Sequence, residues 1–119
     1  VAVPLAITSK SDGGLVGSIA LRLAPEHFRG ELGYWIGKPH WGQGYVTEAA
    51  AALVRYGFEV LNLNRIEAHH LSRNPASGRV MLKLGMQREG VMREHVKKWG
   101  RFEDVEGYAI LRREWNPGS

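Results

Sequence analysis

One stretch, Trp35-Ile-Gly-Lys-Pro-His-Trp-Gly-Gln-Gly-Tyr-Val-Thr-Glu-Ala49, restricts what this chain can fold into more than any other. It reads as the end of a strand, a glycine loop and the first turn of a long helix. Gly42 and Gly44 flank Gln43, so the backbone can turn tightly and approach a ligand without interference from a Cβ. Beyond the loop, Val46, Ala49, Ala50, Leu53, Gly57, Val60 and Leu61 fall on one face at helical spacing. A glycine loop at a helix start aims several unpaired N–H groups, and the positive end of the helix dipole, at one point. That is an anion site, and phosphate is its usual occupant.

The elements around this stretch follow from local pattern. Val1 to Thr8 is apolar and β-branched and reads as a strand, and Ser11-Asp-Gly-Gly14 is a turn leading into a second strand, Leu15 to Ala24. Pro25 to Gly30 reads as a polar loop and Glu31 to Gly37 as a third strand. The helix from Val46 to Leu61 comes next, with Asn62 and Asn64 placed to close it. Arg65 to His70 is a fourth strand, expected parallel to the third through a right-handed crossover. Asn74-Pro75 opens a second helix, with Asn as cap, Pro in the first turn, apolar Val80, Met81 and Leu84, and Gly85 as terminator. Met86 to Val96 and Phe102 to Leu111 read as two long strands joined through Lys97-Lys-Trp-Gly-Arg101. The order βββ-α-β-α-ββ predicts an α+β (mixed α/β) domain over residues 1–119. Its sheet is mostly antiparallel, with one parallel crossover at the anion loop, where diverging strand ends bind ligands.

Composition narrows the function classes. The chain has no cysteine, which removes disulfides, zinc–thiolate sites and thiol nucleophiles, and its five histidines show no metal-ligand spacing, so no metal is expected. No apolar run reaches membrane-spanning length and no signal peptide is evident, so a cytoplasmic protein without membrane contact is expected. A net charge of +4 and a pI of about 9.7 favour polyanions, meaning a phosphorylated cofactor or RNA and ribosomes. The charge is scattered, so nucleic acid is expected only indirectly. A dinucleotide site is disfavoured because Thr47 stands where a third glycine belongs, and a P-loop because no Gly-Lys-Ser/Thr follows.

GYWIGKPHWGQGYVTEA, NPASGRVMLKLGMQREG and GRFEDVEGYAILRREW occur in this order. Together they resemble the GCN5-related N-acetyltransferases, over about residues 3 to 115, and within them the branch that acetylates N-terminal residues of ribosomal proteins. The resemblance implies an acyl-CoA N-acyltransferase-like fold and acetyl-CoA as donor. It implies a pyrophosphate on the N–H groups of Trp41, Gly42, Gln43, Gly44, Tyr45 and Val46, with the pantetheine arm between the third and fourth strands. It places the thioester beside Tyr34, Trp35 and Ile36, whose backbone N–H groups are the expected oxyanion donors. Glu31 is the first choice of base, through a water, with Glu67 and His70 behind it. Asn74 would bond the pantetheine amides, Ser77 would protonate the sulfur, and Arg79 and Lys83 would meet the 3′-phosphate. Taken as residues alone, Glu31 reads equally as a surface carboxylate, Asn74 as a cap, and Arg79 and Lys83 as solvated charges.

Three departures from the family pattern matter. Trp41 and Val46 stand at the ends of the loop motif, Val46 being an enlargement. Met81 occupies the position where many members carry a proton-donating Tyr, which leaves that role to Ser77. The family begins with a strand and two helices ahead of this chain's first strand, so the cofactor half is expected complete and the acceptor half short. The acceptor expected is the N-terminal amine of a protein or peptide. A small-molecule amine and a non-catalytic acyl-CoA-binding role are the alternatives. Trp99, among Lys97, Lys98 and Arg101, is expected to touch the acceptor or a partner, and a bare sheet edge is where a second copy would pair.

Overall fold

The computed structural model describes residues 2–8, 15–36 and 44–116, and the expected turn at 11–14 and the loop residues 37–43 lie outside these. Among the described residues six strands form one sheet in the order β1-β2-β3-β4-β6-β5. They are β1 Ala2–Thr8, β2 Leu15–Ala24, β3 Arg29–Ile36, β4 Arg65–Leu71, β5 Gln87–Lys98 and β6 Arg101–Leu111, with helices α1 Tyr45–Glu59 and α2 Pro75–Lys83. Every neighbouring pair is antiparallel except β3 and β4, which run parallel on either side of α1. This is the expected α+β topology.

Local boundaries depart from the pattern where tertiary bonds decide them. Pro25–His27 is a 3-10 turn rather than an open loop, and Phe28 closes it in a left-handed conformation at φ 51°. The Phe28 carbonyl then accepts the N–H groups of Asn64 and Arg65, at 2.7 and 3.2 Å. That clamp starts the parallel register at Arg29 opposite Arg65, so β3 begins before Glu31. Helix α1 stops at Glu59 rather than Leu61, because Asn62 turns left-handed at φ 57° and the Leu61 and Leu63 N–H groups return to the carbonyls of Tyr56 and Gly57. The β5–β6 connection is tighter than expected. Trp99 and Gly100 both take positive φ, 51° and 75°, as a two-residue hairpin turn requires.

The core lies between the sheet and both helices. Ile19 and Leu21 of β2, Leu32 of β3, Ile66 and Ala68 of β4, and Tyr108 and Ile110 of β6 meet Ala50, Leu53, Val54 and Phe58 of α1 and Met81 of α2. Strand residues alternate between faces, so Arg22, Glu31, Glu67 and His69 stand on the opposite face, away from the helices. The β4 sequence shows this directly, with Ile66, Ala68 and His70 buried between half-buried neighbours. None of the described helices is long and apolar enough to cross a membrane.

Candidate active site

Strands β3 and β4 are paired only from Arg29–Leu32 to Arg65–Ala68. Beyond that point β3 stays with β2 as far as Ile36 opposite Gly17, while β4 stays with β6 as far as Leu71 opposite Val105. The sheet therefore opens into a V at its one parallel junction. Along the V, alternate backbone groups of residues 33–36 and 69–71 face a gap instead of each other, which suits a ligand that carries amides of its own.

The first turn of α1 follows the end of β3 in the chain. Gly44 is its N-cap at φ 79°, with no side chain to cap the helix, and the Glu48 N–H donates to the Gly44 carbonyl at 3.0 Å. Among the described residues a Cβ built on Gly44 would have nothing within 4 Å. Val46 is buried at the start of the helix. The backbone of Tyr45 continues the helix. Trp41, Gly42 and Gln43 lie outside the described residues. Tyr34, Trp35 and Ile36 form the arm of β3 that runs along the V, paired with Ile19, Ser18 and Gly17 of β2.

Glu31 sits at the base of the V. Its Oε2 accepts from His69 Nδ1 at 2.8 Å and its Oε1 from Arg22 Nη1 at 3.2 Å. These groups, with Ala2, Ala20, Leu32 and Gly33, line a cleft of about 230 Å³. His69 is a residue the sequence reading missed in favour of His70. The period-2 pattern of RIEAHHL held the signal, because His70 shares the inward phase of Ile66 and Ala68, whereas His69 shares the outward phase of Glu67. His70 is accordingly buried, on the face opposite Glu31. Its Nδ1–H donates to the Leu71 carbonyl at 2.6 Å and its ring centroid lies 5.5 Å from that of Tyr108.

Glu67 faces the same side as Glu31, its partner in register, but it is engaged by Arg65 at 2.9 Å and Arg29 at 4.0 Å. Arg65 also grips Glu89 through both Nη atoms, at 2.6 and 3.0 Å. That bidentate bond holds the Glu89 carboxyl below the usual carboxylate range and raises Arg65 above its ordinary value. Of the carboxylates on this face, Glu31 is the one beside the cleft.

Helix α2 begins just past the end of β4, with the Asn74 N–H donating to the Leu71 carbonyl at 2.9 Å. Asn74 occupies the N-cap, but its side chain makes no capping bond, contrary to the sequence reading, and it stands exposed at the head of the helix. Ser77 is buried with Gly78 and Met81 on the inner face of α2, whereas Arg79 and Lys83 point outward into solvent. Met81 is 1% exposed and packs as core. The β5–β6 tip leans over the segment that joins β4 to α2. Arg73 lies 5.0 Å from the centroid of the exposed Trp99 ring and binds the buried Glu103 at 2.7 Å.

Gly78 is the point where α2 touches β4 and β6. A Cβ there would lie 2.8 Å from Tyr108 Oη and 3.0 Å from His70 Nε2. Both rings are buried, so the clash outweighs the ~1 kcal/mol that alanine gains over glycine in a helix. Gly78→Ala should lower the urea midpoint of unfolding at unchanged slope. An equal or higher midpoint would show that the two rings yield freely.

Among the described residues no cluster of three His, Asp or Glu side chains could hold a metal ion. Comparison with known proteins agrees with the fold. The family model for the acetyltransferase (GNAT) domain matches residues 2–87. An uncharacterized N-acetyltransferase of Bacillus licheniformis is 43% identical over 90 residues, 76% of this chain and 51% of its own. The ribosomal protein uS5-alanine N-acetyltransferase of Escherichia coli (strain K12) is 32% identical over 87 residues, 73% of this chain and 45% of its own. The chain thus spans about half the length of these relatives. Among solved structures, spermidine N-acetyltransferase SpeG from Vibrio cholerae superposes with a TM-score of 0.87 at 24% identity, over 99% of this chain and 70% of that one. At that identity the likeness is one of fold.

Proposed function

The chain belongs to the GNAT acetyltransferases, and from that premise we propose that it transfers an acetyl group from acetyl-CoA to the N-terminal amine of a protein, with ribosomal proteins as the first acceptors to test. The observation that carries this reading is the placement of a carboxylate, Glu31, at the base of the V between β3 and β4, with the open N-terminus of α1 next along the chain. The ribosomal acceptor rests on the named activity of the Escherichia coli relative, and such an acceptor implies work in the cytoplasm.

Bound acetyl-CoA supplies the thioester; the protein supplies position and proton transfer. The first-turn N–H groups of α1, with those of the loop before it, bind the pyrophosphate. The unpaired edges of β3 and β4, and the uncapped Asn74 side chain, take up the pantetheine amides. Arg79 and Lys83 are the cations on hand for the 3′-phosphate. Glu31 removes the proton from the acceptor amine, directly or through one water, while His69 Nδ1–H and Arg22 hold its carboxylate in place. A backbone N–H of residues 34–36 bonds the carbonyl oxygen as charge builds on it. Ser77 returns a proton to the sulfur as the C–S bond breaks. Glu31 and Ser77 stand on opposite faces of the sheet, so the acid and the base reach the gap from different sides.

Glu31→Gln tests this assignment. Its kcat should fall about 10²- to 10⁴-fold, the usual contribution of a positioned base, with acetyl-CoA affinity unchanged. Wild-type kcat in this variant, or acetyl-CoA held by the wild-type chain without turnover on any amine, would remove Glu31 from the role, and the second result would favour an acyl-CoA-binding protein.

A further inference from the structure

We infer that the acceptor is a single ammonium with a carboxylate close beside it, a peptide N-terminus whose first or second residue is acidic, read jointly by Glu31 and Arg22. The inference rests on the acetyl-transfer reading of the cleft and names the substrate class it selects.

Among the described residues, the charged groups of the helix-free face near the cleft are nearly balanced. Arg22 comes from β2, Arg29 and Glu31 from β3, Arg65, Glu67 and His69 from β4, and Glu89 from β5. Each of these carboxylates already has a guanidinium: Glu31 has Arg22 at 3.2 Å, Glu67 has Arg65 at 2.9 Å, and Glu89 has Arg65 at 2.6 Å. A polyamine carries several ammonium groups and needs a row of uncompensated carboxylates. Here a second ammonium beside the one on Glu31 would meet Arg22 instead.

The same arrangement suits an ammonium paired with an acid. The Arg22 side chain is 74% exposed and gives one Nη to Glu31, so the rest of its donor fork remains open at the cleft wall. A ligand adds to this exposed ion pair without breaking it, since Arg22 keeps free donors and the Glu31 oxygens keep free lone pairs. The incoming ammonium lies on Glu31 and the incoming carboxylate on Arg22. The 3.2 Å between those two groups sets the two ligand charges side by side. Electrostatic matching of this sort discriminates among partners more than it adds raw affinity.

The test compares three peptides identical except at position two, Ser-Asp, Ser-Asn and Ser-Lys, together with spermidine, on the wild-type chain and on Arg22→Ala. Two readouts are taken: dissociation constants by calorimetry with CoA present, and the ratio of kcat/KM between peptides within each protein. The wild type should favour Ser-Asp over Ser-Asn about tenfold, with Ser-Lys and spermidine weaker still. In Arg22→Ala the Asp and Asn peptides should become equal, a change of ratio that a general loss of activity does not produce. Spermidine or Ser-Lys binding as tightly as Ser-Asp would overturn the inference, as would an acid preference that survives Arg22→Ala, or the absence of binding by every peptide. Peptide preference without turnover would instead overturn the acetyl-transfer reading and leave the recognition intact.

Discussion

Gly44→Asp is expected to reduce acetyl-CoA binding at least about a hundredfold while leaving the chain folded. Gly44 caps α1 at φ 79°, and no described residue lies within 4 Å of where its Cβ would stand. Aspartate tolerates the left-handed region better than other residues with a side chain, so the backbone penalty stays at or below ~1–2 kcal/mol. Its carboxylate would occupy the place where the N–H groups of α1 converge. Against a phosphate about 4 Å away, at an effective dielectric of about 20, the repulsion amounts to ~4 kcal/mol. Gly44→Ala separates the two effects, since it carries the strain and the bulk without the charge, and its loss should be clearly smaller. Calorimetry with acetyl-CoA, beside a thermal melt of each variant, gives both quantities. If the aspartate variant binds like the wild type, the pyrophosphate does not sit on this helix.

Phe58→Ala is expected to destabilise the fold by ~3–5 kcal/mol, the largest stability effect of any single change considered. Phe58 is fully buried on α1, inside the one core cluster, and its ring lies 5.3 Å from that of Trp115. Its backbone is held as well, because Arg112 Nη1 donates to the Phe58 carbonyl at 2.6 Å and to that of Leu63 at 3.4 Å. Truncation would open a cavity bounded by a fixed helix end and a sheet, neither free to collapse inward. Against a total stability of about 5–15 kcal/mol, that is a large share of the fold's margin. Urea unfolding at 25 °C measures this, and a loss below ~1 kcal/mol would show that Trp115 swings in to fill the space.

How much of this was legible in the sequence depended on how local the signal was. β2 was delimited residue for residue by its run of apolar and β-branched side chains between a glycine turn and Pro25. The parallel placement of β4 followed from the length of the helix before it. The start of β3 was not legible, because it is set by the Phe28 carbonyl bonding Asn64 and Arg65 from the far side of α1. The same register decides which histidine reaches Glu31. Composition cannot tell His69 from His70; the alternation within RIEAHHL can, since His70 shares the phase of Ile66 and Ala68 and His69 that of Glu67. Asn74 was correctly placed at the head of α2, yet the capping bond its residue type predicts is not made. The N–H of Ser77, a donor that an Asn74 cap would take, goes instead to the backbone carbonyl of Asn74 at 3.3 Å.

We propose that acetyl-CoA lies in the V between β3 and β4 with its pyrophosphate on α1. The most direct measurement is a ¹⁵N amide NMR titration of the wild-type chain with acetyl-CoA. The predicted result is saturable shifts concentrated at residues 33–36, 69–71 and 44–48, with the far β5–β6 tip unmoved. Shifts scattered over the surface, or none at millimolar acetyl-CoA in a folded protein, would contradict the account.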